Sequence, residues 1–284
     1  MGPGASVDKV KARIGMVNFI NTAPLYEVWR RTVHRPDWLV TEAPPSVLNG
    51  LLYEEKLDLG FISSHEYAVH SARYKILSDL SISATGPVGS VILFSRFPVA
   101  ELAGKRVLLT SQSQTSVSLI KIIMEEFHGI HPDYAAASLR EAWAKLDEAD
   151  AVLAIGDEAL RLGEQDSFPF QLDLAEIWYE QTGLPFVFAV WAVREKFCCQ
   201  DPDSVVEIHQ ELLRCLAEGA QDLRSISTLV APRIPMKAQS CYEYLKKVEY
   251  DLGERKQAGL KLFFDYLIKR GEAEAQALPL KICN

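Results

Sequence analysis

Four stretches of this chain gather side chains that could bind and orient a small polar ligand. The first is Val17-Asn18-Phe19-Ile20-Asn21-Thr22-Ala23-Pro24-Leu25, with a proline where the first turn of a helix accepts one. Asn21 or Thr22 could simply cap that helix or could face a ligand, whereas Asn18 is too far from the helix start to cap it and is a candidate for orienting a substrate. The second is Thr110-Ser111-Gln112-Ser113-Gln114-Thr115-Ser116, an unbroken run of uncharged hydrogen-bonding side chains. A carboxylate site needs several donors and no competing acid, and this run meets both conditions, with Ser113, Thr115 and Ser116 as candidates beside the plain capping alternative. In the third, Ile155-Gly156-Asp157-Glu158, Gly156 could bring its backbone close to a ligand, while Asp157 suits a cap and repels an anion. In the fourth, Gln181 to Trp191, Thr182 and Gly183 could aim backbone amides at a ligand or form an ordinary turn. The aromatic run that follows them reads as core or as a ligand stack. A fifth cluster, Ser63-Ser64-His65-Glu66, holds a possible acid–base pair in His65-Glu66, beside a solvated or structural role for both.

These loops need a scaffold that places strand ends together. Short apolar runs alternate with helical patterns along the chain, which predicts a parallel α/β architecture. Strands are expected at Arg13–Val17, Leu57–Ile62, Val88–Ser95, Arg106–Thr110, Asp150–Ile155 and Phe186–Val193. Helices are expected at Leu25–Thr32, Pro45–Tyr53, Thr115–Phe127, Ser138–Leu146 and Glu158–Leu162, with an almost wholly helical region from Asp203 to Arg270. Most of the polar loops therefore fall where a strand hands over to a helix. Ligands of open α/β sheets bind there, facing helix N-termini. The apolar runs Val88–Ser95 and Phe186–Arg194 flank the middle series symmetrically, which predicts one lobe inserted into another. Lobe 1 would comprise 1–95 with 190–284, lobe 2 would comprise 96–189, and the hinges would lie near 94–98 and 188–194. Two-lobed binding proteins are built this way, with the ligand in the cleft.

Composition narrows the function class. A net charge of −8 argues against nucleic acid, whose binders carry a basic face. It does not exclude a small anion, which a few local donors can hold. No apolar run reaches the roughly 20 residues that span a bilayer, so no membrane partner is expected. Met1 to Arg13 contain nothing like the apolar core of a secretory leader, which leads us to expect a cytoplasmic protein. Five cysteines without metal-like spacing fit free thiols in a reducing compartment. The six histidines show no metal-ligand spacing, and Walker, GxGxxG, GxSxG and HExxH signatures are absent, so neither metal nor cofactor is expected.

Taken together, the loops resemble those of the menaquinone-biosynthesis chorismate dehydratases of the futalosine route. The similar segments are VNFINTAPL at 17–25, VGSVILFS at 88–95, LTSQSQTSVSLIK at 109–121, AVLAIGDEAL at 151–160 and TGLPFVFAVW at 182–191, in family order over about residues 13–200. Ser63 departs from the pattern, standing where a proline is expected. The resemblance implies a type II periplasmic-binding-protein-like fold. It also implies a hydro-lyase converting chorismate to 3-[(1-carboxyvinyl)oxy]benzoate and water. Donor-rich loops around Asn18 to Thr22 with Ser64 and Ser90, and around Ser113 to Ser116, would then take the two substrate carboxylates. Because those loops offer donors rather than a strong base, the enolpyruvyl carboxylate of the substrate itself is the expected proton acceptor, with Glu66 or Asp157 as the alternative. Two other functions fit the same architecture. An intracellular small-anion binding protein would bind chorismate without consuming it, and the sister enzyme of the same pathway would need a histidine base in its cleft.

Overall fold

Parallel pairing begins with the first strand of the chain. In the computed structural model, which describes residues 10–137, 149–163, 165 and 168–283, β1 (Ala12–Met16) lies between β2 (Trp38–Glu42) and β3 (Leu59–Ser63), parallel to both. A Cβ at Gly15 in β1 would stand 2.7 Å from Leu57 Cδ1 and 3.1 Å from Leu48 Cδ2, so the glycine lets these two leucines pack directly on the strand. β3 is buried along its whole length, as expected of a strand covered on both faces. β10 (Phe186–Arg194) runs antiparallel between β3 and the long β4 (Tyr74–Ala84), and β11 (Ile282–Cys283) closes the edge. The first sheet thus runs β11-β4-β10-β3-β1-β2.

A second sheet is built from the middle of the chain. β5 (Val91–Ser95), β6 (Arg106–Thr110), β7 (Asp133–Ala137), β8 (Ala151–Ile155) and β9 (Phe170–Asp173) assemble in the order β7-β6-β8-β5-β9. The chain therefore crosses between sheets at 85–90 and again at 183–185. The expected hinges near 94–98 and 188–194 need correcting, as do the lobe limits drawn from them. Residues 91–95 belong with the second sheet and 186–189 with the first. Both runs are apolar because each has a strand on either side, β8 and β9 flanking β5, β3 and β4 flanking β10. Apolarity was a mark of central strands, not of crossing segments.

Helices cover the sheets: α1 (Ala23–Thr32), α2 (Pro45–Tyr53), α3 (Ser64–Val69), α4 (Gln114–Lys121), α5 (Gly156–Gly163) and α6 (Leu174–Thr182). α4 continues as a π-helical segment, Ile122–Phe127, where one uninterrupted helix was expected. The C-terminal region supplies α7 (Glu195–Gln200), α8 (Pro202–Gln221), α9 (Leu223–Val230), α10 (Ala238–Leu245) and α11 (Glu254–Lys269). The helix expected over Ser138–Leu146 lies outside the described residues.

One apolar core reaches from the first sheet into the second. At the crossing segments it is aromatic. Trp178 of α6 meets Phe186 of β10 at 5.2 Å between centroids, and Phe186 meets Phe263 of α11 at 5.1 Å, both edge-to-face, the arrangement aromatic pairs favour. The five cysteines are free, with the sulfurs of Cys198 and Cys283 3.3 Å apart. No helix among the described residues is long and apolar enough to cross a membrane.

Candidate active site

A cavity of about 330 Å³ lies between the two sheets, within the size range of small-molecule sites. The first sheet contributes the loop after β1. Ile20–Thr22 form a single 3-10 turn there, and Thr22 Oγ1 donates to the carbonyls of Val17 (2.7 Å) and Phe19 (2.9 Å). That hydroxyl ties the loop to itself instead of capping α1. The turn leaves Asn21 on the cavity wall, with its backbone carbonyl accepting from Tyr250 Oη at 2.9 Å. Its side-chain Oδ1 is buried and has no protein partner. A buried polar atom of this kind carries a real cost unless something meets it.

The same side of the cavity receives α2 and the β3–α3 junction. Asn49 sits one turn after Ser46, and both reach the cavity. The Asn49 amide is paired with Ser63 twice, Nδ2 to Oγ and Oδ1 from the backbone N–H, both at 3.3 Å. Ser63 Oγ also accepts from the Glu66 N–H at 3.2 Å and so caps α3. A proline in this place could not donate to Asn49, and the serine departure is thus matched by a local partner. Glu66 lines the cavity from α3, and its Oε1 accepts from Tyr74 Oη at 3.3 Å. Burial pushes the Glu66 carboxyl above its ordinary range, against the opposing pull of Tyr74 and His65.

The second sheet presents the run after β6. Ser111, Gln112, Ser113, Gln114 and Ser116 all line the cavity. Ser113 Oγ accepts from the Ser116 N–H at 3.2 Å and meets Ser116 Oγ at 3.1 Å, so the cap of α4 leaves both hydroxyls at the rim. No acidic residue occupies the first turn of α4, which leaves its positive end uncompensated. Gly156 completes this wall. It adopts φ +55°, its N–H donates to the Ser90 carbonyl at 2.7 Å, and Phe19 packs over it. Ser90 lines the cavity and accepts from Tyr244 Oη at 2.9 Å.

Asn21, Thr22, Glu66, Ser90, Ser113, Ser116 and Gly156 are thus brought together around one cavity. The remaining expected site residues do not line it. Asn18 is engaged behind the loop, donating to Glu42 Oε1 and accepting from Arg233 Nη1, each at 2.7 Å. Ser64 is buried, and its hydroxyl donates to the Val187 carbonyl at 2.7 Å. Thr115 Oγ1 accepts from the His65 N–H at 2.9 Å and so joins the two halves beside the cavity. Asp157 accepts from the Ile20 N–H at 3.4 Å, and burial raises its carboxyl against that bond. Thr182 and Gly183 end α6: Thr182 Oγ1 donates to the Trp178 carbonyl at 2.7 Å, and Gly183 takes the left-handed C-terminal position at φ +68°. Their turn chemistry was real, but it serves the helix end. Of the aromatic run, Phe186 and Trp191 are core, whereas Phe188 and Ala189 reach the cavity.

The cavity can hold an anion with uncharged donors and the start of α4. Among its described lining residues, Glu66 alone is ionisable. Comparison with known proteins identifies the family. A family model described as menaquinone biosynthesis matches residues 12–269. The chain belongs to that menaquinone-biosynthesis family. It is 34% identical over 282 residues to the chorismate dehydratase of Thermus thermophilus, covering 94% of this chain and 95% of that one. It is 28% identical over 186 residues to the chorismate dehydratase of Campylobacter jejuni, covering 64% and 67% respectively. Among solved structures, protein AF1704 of Archaeoglobus fulgidus superposes with a TM-score of 0.71 at 20% identity, over 92% of this chain and 97% of that one. The alkanesulfonate-binding protein SsuA of Xanthomonas axonopodis, bound to MOPS, gives 0.73 at 14% identity over 98% and 99%. These likenesses establish a two-lobed periplasmic-binding-protein-like fold for this member of the family.

Proposed function

We propose that this protein is a chorismate dehydratase, a hydro-lyase that converts chorismate to 3-[(1-carboxyvinyl)oxy]benzoate and water in menaquinone biosynthesis, acting in the cytoplasm. The observation that carries the reading is the cavity itself. It is a nearly uncharged, donor-lined space between two sheets, in a chain that aligns over 94% of its length with a chorismate dehydratase. One substrate carboxylate is taken by the Nδ2–H donors of Asn21 on the cavity wall together with the Ser90 hydroxyl; the buried Asn21 Oδ1 is an acceptor and cannot serve in that role. The other is taken by the hydroxyls of Ser113 and Ser116 at the start of α4. Asn18 acts from behind, fixing the loop that carries Asn21 through Glu42 and Arg233.

Two carboxylates held in opposite walls would orient the ring and exclude water, and both effects lower the barrier. The reaction removes hydrogen from ring C3 and the hydroxyl from C4, and aromatisation makes it downhill. The acceptor of the C3 proton is the enolpyruvyl carboxylate of the substrate, because the donor loops offer no base. Purified protein incubated with chorismate should give, catalytically, a product lighter by one water with an aromatic spectrum, followed by liquid chromatography and mass spectrometry. Chorismate bound but unchanged would reduce the protein to a binding protein. An analogue with that carboxylate converted to an amide should bind and not turn over. Turnover near the normal rate would remove the substrate from the role of base.

A further inference from the structure

The dehydration has a second proton to manage, and the proposed function leaves it unassigned. Hydroxide is a poor leaving group, since water has a pKa near 15.7. The C4–O bond therefore breaks far more readily if an acid protonates the oxygen as it departs. The cavity offers one group able to do so. Glu66 is the single ionisable side chain among its described lining residues, and the hydroxyls and amides around it are too weakly acidic.

The carboxyl of Glu66 is held from behind. Its own N–H is fixed to Ser63 Oγ at 3.2 Å, and Tyr74 Oη of β4 donates to Oε1 at 3.3 Å. His70, the residue that follows the last turn of α3, places Nδ1 3.6 Å from the same Oε1, and that nitrogen is buried without a hydrogen-bond partner. The groups facing this pair are few. His65 comes from α3 itself, Tyr74 from β4, Tyr53 from α2 with its ring 4.3 Å from that of His70, and Arg73 from the turn after α3. The Arg73 guanidinium is turned onto the Tyr53 ring and carbonyl. Among the described residues, no lysine or arginine is bonded to the Glu66 carboxyl to hold it ionised. An ionised Glu66 would face two substrate carboxylates across a cavity without compensating charge, whereas its neutral form offers a donor.

We infer that Glu66 is the general acid of this site, giving its proton to the oxygen that leaves C4, with His70 connecting its carboxyl to the surface for reprotonation. The inference rests on the dehydratase reading. The C3–H electrons become the new ring π-bond, and the C4–O electrons leave with the oxygen. The Glu66 proton completes the departing water. The enolpyruvyl carboxyl releases the proton taken from C3 to solvent as the product leaves, and Glu66 regains one from solvent through His70, so no net proton is gained or lost and no oxidant is needed. Burial that raises the Glu66 carboxyl supports the neutral form at working pH. His70 is a positioning and relay residue: its side chain remains 27% exposed, which gives it a path to solvent.

The test uses the intact protein, chorismate, and the variants Glu66→Gln and Glu66→Asp. Wild-type kcat is expected to fall on the alkaline side with unit slope. In Glu66→Gln, kcat should drop about 100-fold or more, that limb should disappear, and chorismate affinity measured calorimetrically should change only a few-fold, because the amide still donates. Glu66→Asp should recover part of the rate, and the calorimetric affinity certifies that each variant site is folded. A Glu66→Gln kcat within about three-fold of wild type, or a wild-type profile that rises with pH through the same titration, would overturn the inference; the second result would make Glu66 a base. Wild-type protein that leaves chorismate unchanged would defeat the dehydratase reading itself, a result distinct from active wild type with an equally active Glu66→Gln.

Discussion

Glu272 is the sharpest place to test how the two halves are held. It follows α11, and its carboxylate joins elements from both sheets. Ser118 Oγ of α4 donates to Oε2 at 2.5 Å, His65 Nε2 of α3 lies 3.7 Å from the same oxygen, and Arg270 Nε donates to Oε1 at 2.9 Å. Burial pushes this carboxyl up, but His65, Ser118 and Arg270 together outweigh it and hold it at about 2 instead of 4.5. At about 1.4 kcal/mol for each pKa unit that difference corresponds to roughly 3 kcal/mol. Solvent reaches 25% of the side chain, and screening reduces the figure to about 1–2 kcal/mol. The folded value lies below the unfolded one. The stabilisation is therefore complete above about pH 4.5 and is lost as the pH falls through about 2. Glu272→Gln should accordingly lower the unfolding free energy at pH 7 by about 1–2 kcal/mol, or the melting temperature by about 2–4 °C. In urea titrations from pH 7 downward, the gap between variant and wild type should narrow once the pH drops below about 4.5. A variant as stable as wild type at pH 7, or a gap of constant size down to pH 3, would show that the junction between α3 and α4 does not depend on this charge.

Two further perturbations separate scaffold from site. Gly219→Ala places a Cβ 1.8 Å from the Pro24 carbonyl oxygen, forcing α8 away from the start of α1; a loss of about 3 kcal/mol or more is expected, read as a fall in melting temperature and soluble yield. Asn49→Ala removes both bonds to Ser63 but leaves the Ser63 cap of α3, so stability should fall by only about 1–2 kcal/mol while KM for chorismate rises about ten-fold. An unchanged KM in steady-state kinetics would place Asn49 outside substrate binding.

Local patterns carried much of the architecture. The strand at β1, the proline-led start of α1, the helix over Pro45–Tyr53 and the strand β8 all appear close to where periodicity and turn residues place them. β4 was not legible, because Ser78-Asp79 breaks its apolar run; Asp79 sits at φ +56° beside a shift in pairing with β10. β9 was hidden for a different reason, being a short edge strand with exposed residues. Among site residues, the Ser/Thr/Gln run after β6 could be singled out because so many donors exceed what one helix start requires. Ser46 and Asn49 could not be, since polar residues three apart on a helix read the same whether they face water or a cavity.

The sequence by itself therefore determined many of the elements and the donor chemistry of the loops, because capping, turn preference and period are properties of neighbouring residues, while the family followed from the likeness of whole segments. Which donors share a cavity was decided only in three dimensions. Asn18 and Asn21 are three residues apart, yet a single 3-10 turn sends one to Glu42 and Arg233 and leaves the other unpaired at the cavity. Glu66 became the one acid among the described lining residues because β3 and β10 pair beneath α3 while the second sheet packs opposite. Those partners lie more than a hundred residues apart in the chain, and local preference carries no information about them.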